Sequence, residues 1–188
     1  MSTNKSKFKK YEVAEPRLSM AMENYLLSIF HLQEQGTKST LSRLAEQIKR
    51  LPEGEGIGTS LPSVGGMVNR MVREGLVNKS PRKNIILTSK GLEHAEGIVR
   101  RHRLAECMVV DLLGLDLHAA HIEAHRLEHA ISQELEEKIK ARLGNPLTCP
   151  FGHPIPGSGY VPAKDAIPLT RAAEGQTFVV DRVPEDDQ

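Results

Sequence analysis

With 188 residues, 39% of them hydrophobic and 26% charged, the chain has the balance of a globular protein with one large or two small domains. A formal net charge of +1 gives no global signal for nucleic acid. Two cysteines argue against a disulfide framework, and no apolar run nears the ~18 residues that a membrane span needs. The basic start (Lys5, Lys7, Lys9, Lys10) has no apolar stretch behind it and lacks the form of a signal peptide, so a cytoplasmic protein with no membrane partner is expected.

Residues 1–17 are polar and aperiodic, and are expected to form a basic flexible arm. From Ser19 onward Met22, Leu26, Ile29, Phe30 and Leu32 recur at helical spacing, with Gly36 as the stop. Ser39 or Thr40 caps a short second helix with Leu41, Leu44, Ala45 and Ile48 on its apolar face. A breaker-rich connection over 51–61 leads to a third helix. It opens at Ser60 or Pro62, buries Val64, Met67, Val68 and Met71, and ends before Gly75. Two β-like runs, Leu76-Val77 and Ile85-Ile86-Leu87-Thr88, flank a polar turn and predict a hairpin.

Three helices followed by a basic hairpin predict a winged helix-turn-helix over 18–88, its third helix entering a DNA major groove and its hairpin lying along the backbone. Lys49, Arg50, Arg70, Arg73, Lys79, Arg82 and Lys83 concentrate where phosphates would lie, although a solvated surface accounts for the same charges.

Ser89 opens a long helix through about Leu113, with Ile98, Leu104, Met108 and Val109 on its apolar side and Gly114 at its end. One further helical pattern covers 117–143. Two long helices after a small DNA-binding module commonly form a dimerisation layer, which here spans 89–144. On the second helix His121, His125, Glu128 and His129 fall within a sector of roughly 100°. A lone histidine is usually solvated or hydrogen-bonded. Three imidazoles and a carboxylate on one stripe suit a divalent transition metal far better than a hydrophobic core. His31, His94, His118 and His153 fit no ligand pattern. Cys107 reads as a packing thiol, and Cys149 is left open.

The run from His125 to His129 also spells His-x-x-Glu-His, the inverted zinc-peptidase signature. Such an enzyme needs a third downstream ligand and a substrate cleft, and the Pro-rich stretch 145–170, expected to be an extended linker, has little room for either. Neither an enzyme nor a small organic substrate is expected. A metal-binding regulator that acts on DNA constitutively, or through protein contacts, is a further alternative. Residues 175–183 read as one β-strand, which needs a partner to be stable.

Several motifs occur in order and register: Met22-Glu23-Asn24-Tyr25-Leu26, Ala45-Glu46, Met71-Val72-Arg73-Glu74-Gly75-Leu76-Val77, Leu87-Thr88-Ser89-Lys90-Gly91, His102-Arg103-Leu104-Ala105-Glu106, the run Glu123 to His129, and the run Pro150 to Gly157. By these the chain resembles the diphtheria-toxin-repressor and manganese-transport-regulator family of metal-dependent transcriptional repressors. The resemblance implies a mainly α homodimer. Fe(II) or Mn(II) would be the corepressor that aligns two winged-helix heads on double-stranded operator DNA controlling metal homeostasis. Zn(II) and Co(II) are alternatives that imidazole also accepts, so a zinc-responsive regulator of the same fold is the second reading. Residues 171–188 resemble the start of an SH3-like domain, cut short.

The resemblance carries an ancillary metal site onto His102, Glu106 and His121, and a primary site onto Asn24, His125, Glu128 and His129. His125 stands where the iron branch has Cys and the manganese branch Glu. Asn24 stands where those branches have Met and Asp, and Leu27 where the manganese branch has a second carboxylate. The primary site is therefore harder than one and poorer in carboxylate than the other. On the DNA side Ser60, Pro62 and Ser63 match the opening of the recognition helix, with Arg70, Arg82 and Lys83 as further contacts. Gly66 replaces a polar residue, and 51–59 is an insertion.

Overall fold

The computed structural model describes residues 18–52, 57–161 and 163–185; the expected arm and part of the 51–59 insertion lie outside them. The first four helices begin at hydroxyl caps, which satisfy amide groups that have no partner inside the helix. Ser19 accepts from Met22 N at α1 (Met20–Glu34), and Thr40 from Arg43 N at α2 (Leu41–Lys49). Ser60 accepts from Ser63 N at α3 (Leu61–Arg73), and Thr88 from Gly91 N at α4 (Ser89–Cys107). Gly75, at φ 73°, takes the left-handed turn that releases the chain from α3.

Strands β1 (Val77–Lys79) and β2 (Ile85–Leu87) pair antiparallel, with Asn78 opposite Ile86. The turn between them holds Lys83 at φ 58°. Leu26, Ile29, Leu44, Ile48, Val64, Val68, Met71, Leu76 and Ile85 close one core beneath the three helices and the hairpin. Gly91 makes the join to α4 possible, because a Cβ there would sit 1.8 Å from the carbonyl oxygen of Leu76.

Helix α4 runs on as a π-helical turn, Met108–Leu112. The single helix expected over 117–143 is two: α5 (Leu117–Glu128) and α6 (Gln133–Arg142). His129 is the C-cap of α5, and Ser132 restarts the chain by accepting from Leu135 N at 3.2 Å. The apolar period runs across this break because Ile131 and Ile139 enter the same second core as Leu104, Val109, Ala120 and Ala124. Leu27, Ile98 and Val99, with Phe30, bind α1 to α4 between the two cores.

Two expectations about the tail are corrected. Part of the expected extended linker folds back on itself: Cys149 N donates to His153 O and Ile155 N to Leu147 O, both at 2.9 Å. Cys149, Phe151 and Ile155 are buried in the second core, so apolar side chains outweigh the proline-rich composition. Residues 175–183 form no strand. Their backbone bonds are Gln176 N to Ala173 O at 3.4 Å and Val183 N to Phe151 O at 3.0 Å, beside side-chain contacts such as Tyr160 Oη to Asp181 at 3.0 Å; no strand lies alongside among the described residues. Phe178, Val179 and Val180 stay exposed. No helix of the described residues is long and apolar enough to cross a membrane.

Candidate metal centre

Helices α4, α5 and α1 converge on one polar cluster between the cores. His102 and Glu106 lie one turn apart on α4, so both point the same way. Both are fully buried, as is Glu128 on α5. His102 Nε2 lies 3.1 Å from Glu106 Oε1 and 3.1 Å from His121 Nδ1, and His121 Nδ1 lies 3.2 Å from Glu106 Oε1. The structure thus brings His102, Glu106 and His121 together.

A fourth group joins them that sequence reasoning missed. Glu185, from the returning tail, offers a carboxylate oxygen within 4.8 Å of the ligand atoms of His102, Glu106 and His121. Glu106 Oε2 is buried without a hydrogen-bond partner among the described residues. An anionic oxygen left so is costly unless a cation takes it up, so the donor set fits a divalent metal.

Asn24, His125, Glu128 and His129 also adjoin. His129 Nε2 is 3.2 Å from Asn24 Oδ1 and 3.2 Å from Glu128 Oε1, while His125 Nδ1 is 3.3 Å from Glu128 Oε1. The break after α5 frees His129 to face α1. Glu23, also missed in the sequence, holds His129 Nδ1 at 2.7 Å and pairs with Arg101 at 2.7 Å. Holding Nδ1 presents Nε2 outward, the usual outer support of a metal-binding imidazole. Its neighbour Asn24 carried the only signal in that stretch. Leu27 is packed against Ile98 and Val99 and stands away from any ligand role.

Charges in the cluster are strongly coupled. Burial disfavours a His102 cation, yet Glu106 and Glu128 hold its pKa well above 6.5. Burial would raise both carboxyls, but the His102 charge and imidazole hydrogen bonds hold Glu128 down to about 2 and Glu106 below the usual carboxylate range. Burial keeps His125 neutral, and pushes His31 down to about 4. Neutral imidazoles and ionised carboxylates are the forms that bind metal; loading the site would displace the proton of His102. His31 and His153 border Glu185, at 3.5 and 3.8 Å. Burial pushes Cys107 up to about 12 and Cys149 higher still, so both remain neutral thiols.

The residues expected to touch DNA are all exposed. Ser60, Pro62, Ser63 and Arg70 are on the exposed side of α3, and Arg82 and Lys83 on the exposed hairpin turn. Arg70 pairs with Glu74 at 2.9 Å, and Lys79 Nζ reaches Asn69 at 2.6 Å, tying hairpin to helix.

A winged-helix head joined through a buried histidine–carboxylate cluster to a helical layer defines the class of metal-binding, DNA-binding regulators. The family model for the iron dependent repressor N-terminal DNA binding domain matches residues 17–85, and that for the metal binding and dimerisation domain matches 88–157. A diphtheria toxin repressor of Corynebacterium glutamicum is 39% identical over 139 residues, 74% of this chain and 57% of that protein. The chain thus spans little more than half the length of that relative. A solved manganese-dependent transcriptional repressor, in complex with manganese, superposes with a TM-score of 0.76 at 35% identity, over 88% of this chain and 73% of that one. The repressor ScaR with bound Zn2+ superposes at 0.69 and 28% identity, over 88% and 74%. The chain belongs to the iron-dependent repressor family, the diphtheria-toxin-repressor and manganese-transport-regulator group.

Proposed function

We propose that this protein is a metal-dependent transcriptional repressor, a homodimer on double-stranded operator DNA with Fe(II) or Mn(II) as corepressor. The observation that carries this reading is the 3.2 Å contact between His129, at the end of α5, and Asn24 on α1. A ligand set drawn from both elements ties the DNA-binding head to the helical layer. Asn24, His125, Glu128 and His129 would hold the activating ion, and His102, Glu106 and His121, with Glu185, an ancillary one. A bound ion would supply positive charge in place of the His102 proton, beside the Glu106 carboxylate. The names of related proteins, iron-dependent, manganese-bound and zinc-bound, support this range of metals.

Ser60, Pro62 and Ser63 would meet DNA at the start of α3, and Arg70, Arg82 and Lys83 would meet phosphates. The tail from 171 would open an SH3-like domain, which would cover the exposed Phe178, Val179 and Val180. A peptidase is disfavoured because Glu128 is buried with both oxygens occupied by imidazoles. The neighbouring cavity of about 350 Å³ is lined by His118, His121, Phe151 and Glu185 and includes neither Glu128 nor His129.

Anaerobic titration of Fe(II), Mn(II), Zn(II) and Co(II) in an operator-retardation assay tests the function. Iron or manganese should restore binding after chelation, and His129→Ala or Glu128→Ala should abolish that response. Binding indifferent to chelation would refute the corepressor mechanism.

A further inference from the structure

A second group of ligands crosses the line between the two expected sites. One ring nitrogen each of His102, His121 and His125 lies within 4.8 Å of the others. The ring centroids are 4.9 Å apart for His102–His121 and 4.6 Å apart for both other pairs. Interplanar angles of 76°, 55° and 79° keep the rings from stacking, so edges can converge on a shared point. His102 Nε2 and His121 Nδ1 are 3.1 Å apart. That is close to the ~3.4 Å edge of a tetrahedron with metal–nitrogen bonds of ~2.1 Å.

Glu128 accounts for the pose of two of these rings. Its Oε2 holds His102 Nδ1 at 2.5 Å and its Oε1 holds His125 Nδ1 at 3.3 Å. Each imidazole anchored through Nδ1 has Nε2 left for a metal, the arrangement in which a carboxylate orients a metal-binding histidine from outside the coordination shell.

We propose that His102, His121 and His125 form a three-imidazole site for Zn(II), with Glu128 as its outer anchor and a fourth position beside Glu106 Oε1. Three imidazoles in a tetrahedral set suit zinc, whereas Mn(II) seeks carboxylate and carbonyl oxygen. All three ligands lie on α4 and α5, so an ion held here leaves Asn24 and α1 outside its shell. His125 serves this site and the α1-linked one, so the two compete for a single imidazole. On the repressor reading above, on which this consequence rests, zinc fills the protein without engaging the DNA-binding head.

The test loads the metal-free full chain with Zn(II) alone and reads the zinc shell by X-ray absorption. The expected shell is three imidazole nitrogens and one further light atom. His125→Ala should reduce it to two imidazoles and weaken zinc binding by at least about 100-fold, since loss of an outer-shell partner alone costs about 10–100-fold. His121→Ala, at a partly exposed position, should remove one imidazole in the same way even if His125→Ala folds poorly. His129→Ala should keep all three imidazoles while losing manganese-dependent operator retardation. A wild-type shell of two imidazoles and two carboxylates, or a shell unchanged by His125→Ala, would overturn the site. Zinc-driven retardation equal to that with manganese would overturn its separation from the DNA head. Absence of any iron or manganese response in the wild type would sink the repressor reading, with the zinc shell judged separately.

Discussion

Arg103 on α4 is wholly buried and grips both carboxylate oxygens of Glu34, at the end of α1, at 3.1 and 2.6 Å. The same guanidinium donates to Pro154 O at 2.6 Å and pairs with Glu185 at 3.3 Å. One side chain therefore ties the DNA-binding head, the folded-back loop and the tail together beside the metal cluster.

Removing one partner of such a pair strands a charge in the interior, which costs about 3–5 kcal/mol. Glu34→Gln should therefore destabilise the metal-free protein by about 3 kcal/mol at neutral pH, towards the low end because Arg103 keeps Glu185. Burial would raise the Glu34 pKa, but hydrogen bonds from His153 and Arg103 hold it down to about 2. A depressed carboxyl contributes stability that is fully present above its unfolded value near 4.5 and is lost as pH falls towards 2. Urea denaturation of both proteins at pH 7 and below pH 3 should show the gap closing in acid.

The exposed cations of α3 and the hairpin lead to a prediction about salt. Arg82→Ala and Lys83→Ala should each weaken binding to all DNA sequences alike and flatten the log–log salt dependence by about one unit per lost phosphate contact. Arg70→Ala should do so less, because Glu74 already engages its guanidinium at 2.9 Å. Fluorescence anisotropy across a salt series measures the slopes.

Gly65 and Gly66 lie inside α3, and a Cβ at either would meet nothing within 4 Å. Alanine at Gly66 should then raise thermal stability by about 0.5–1 kcal/mol. Operator affinity should fall if the bare backbone at Gly66 is what approaches DNA. A calorimetric scan with a retardation assay separates the two effects.

Asn24 offers a neutral amide oxygen to His129 where a carboxylate would be a stronger ligand for a hard ion. Asn24→Asp should tighten Mn(II) binding about tenfold and improve its standing against zinc. Competition with a metal indicator measures both.

Much of this structure was legible because its signals are local. Ser19, Thr40 and Ser60 announce the helix starts, and the amphipathic spacing of Val64, Val68 and Met71 announces the face that α3 buries. The stripe of His121, His125, Glu128 and His129 was visible for the same reason. The break at His129 was hidden, since Ile131 and Ile139 continue the apolar period through it; Ser132 was the one overlooked sign. Glu185 could not be foreseen, because it reaches the cluster through a fold-back that no periodicity encodes. Glu23 was masked by its neighbour Asn24, although its contact with His129 spans 106 residues.

Asn24 and His129 are 105 positions apart in the chain. An ion gripping both would close a loop of that span, as a disulfide does but reversibly. In the chain-entropy treatment, closing about 100 residues removes roughly 4–5 kcal/mol of freedom from the unfolded ensemble. Metal supply would then set the lifetime of the folded chain as well as its grip on DNA, so that a metal-starved cell would hold a protein more easily unfolded and degraded.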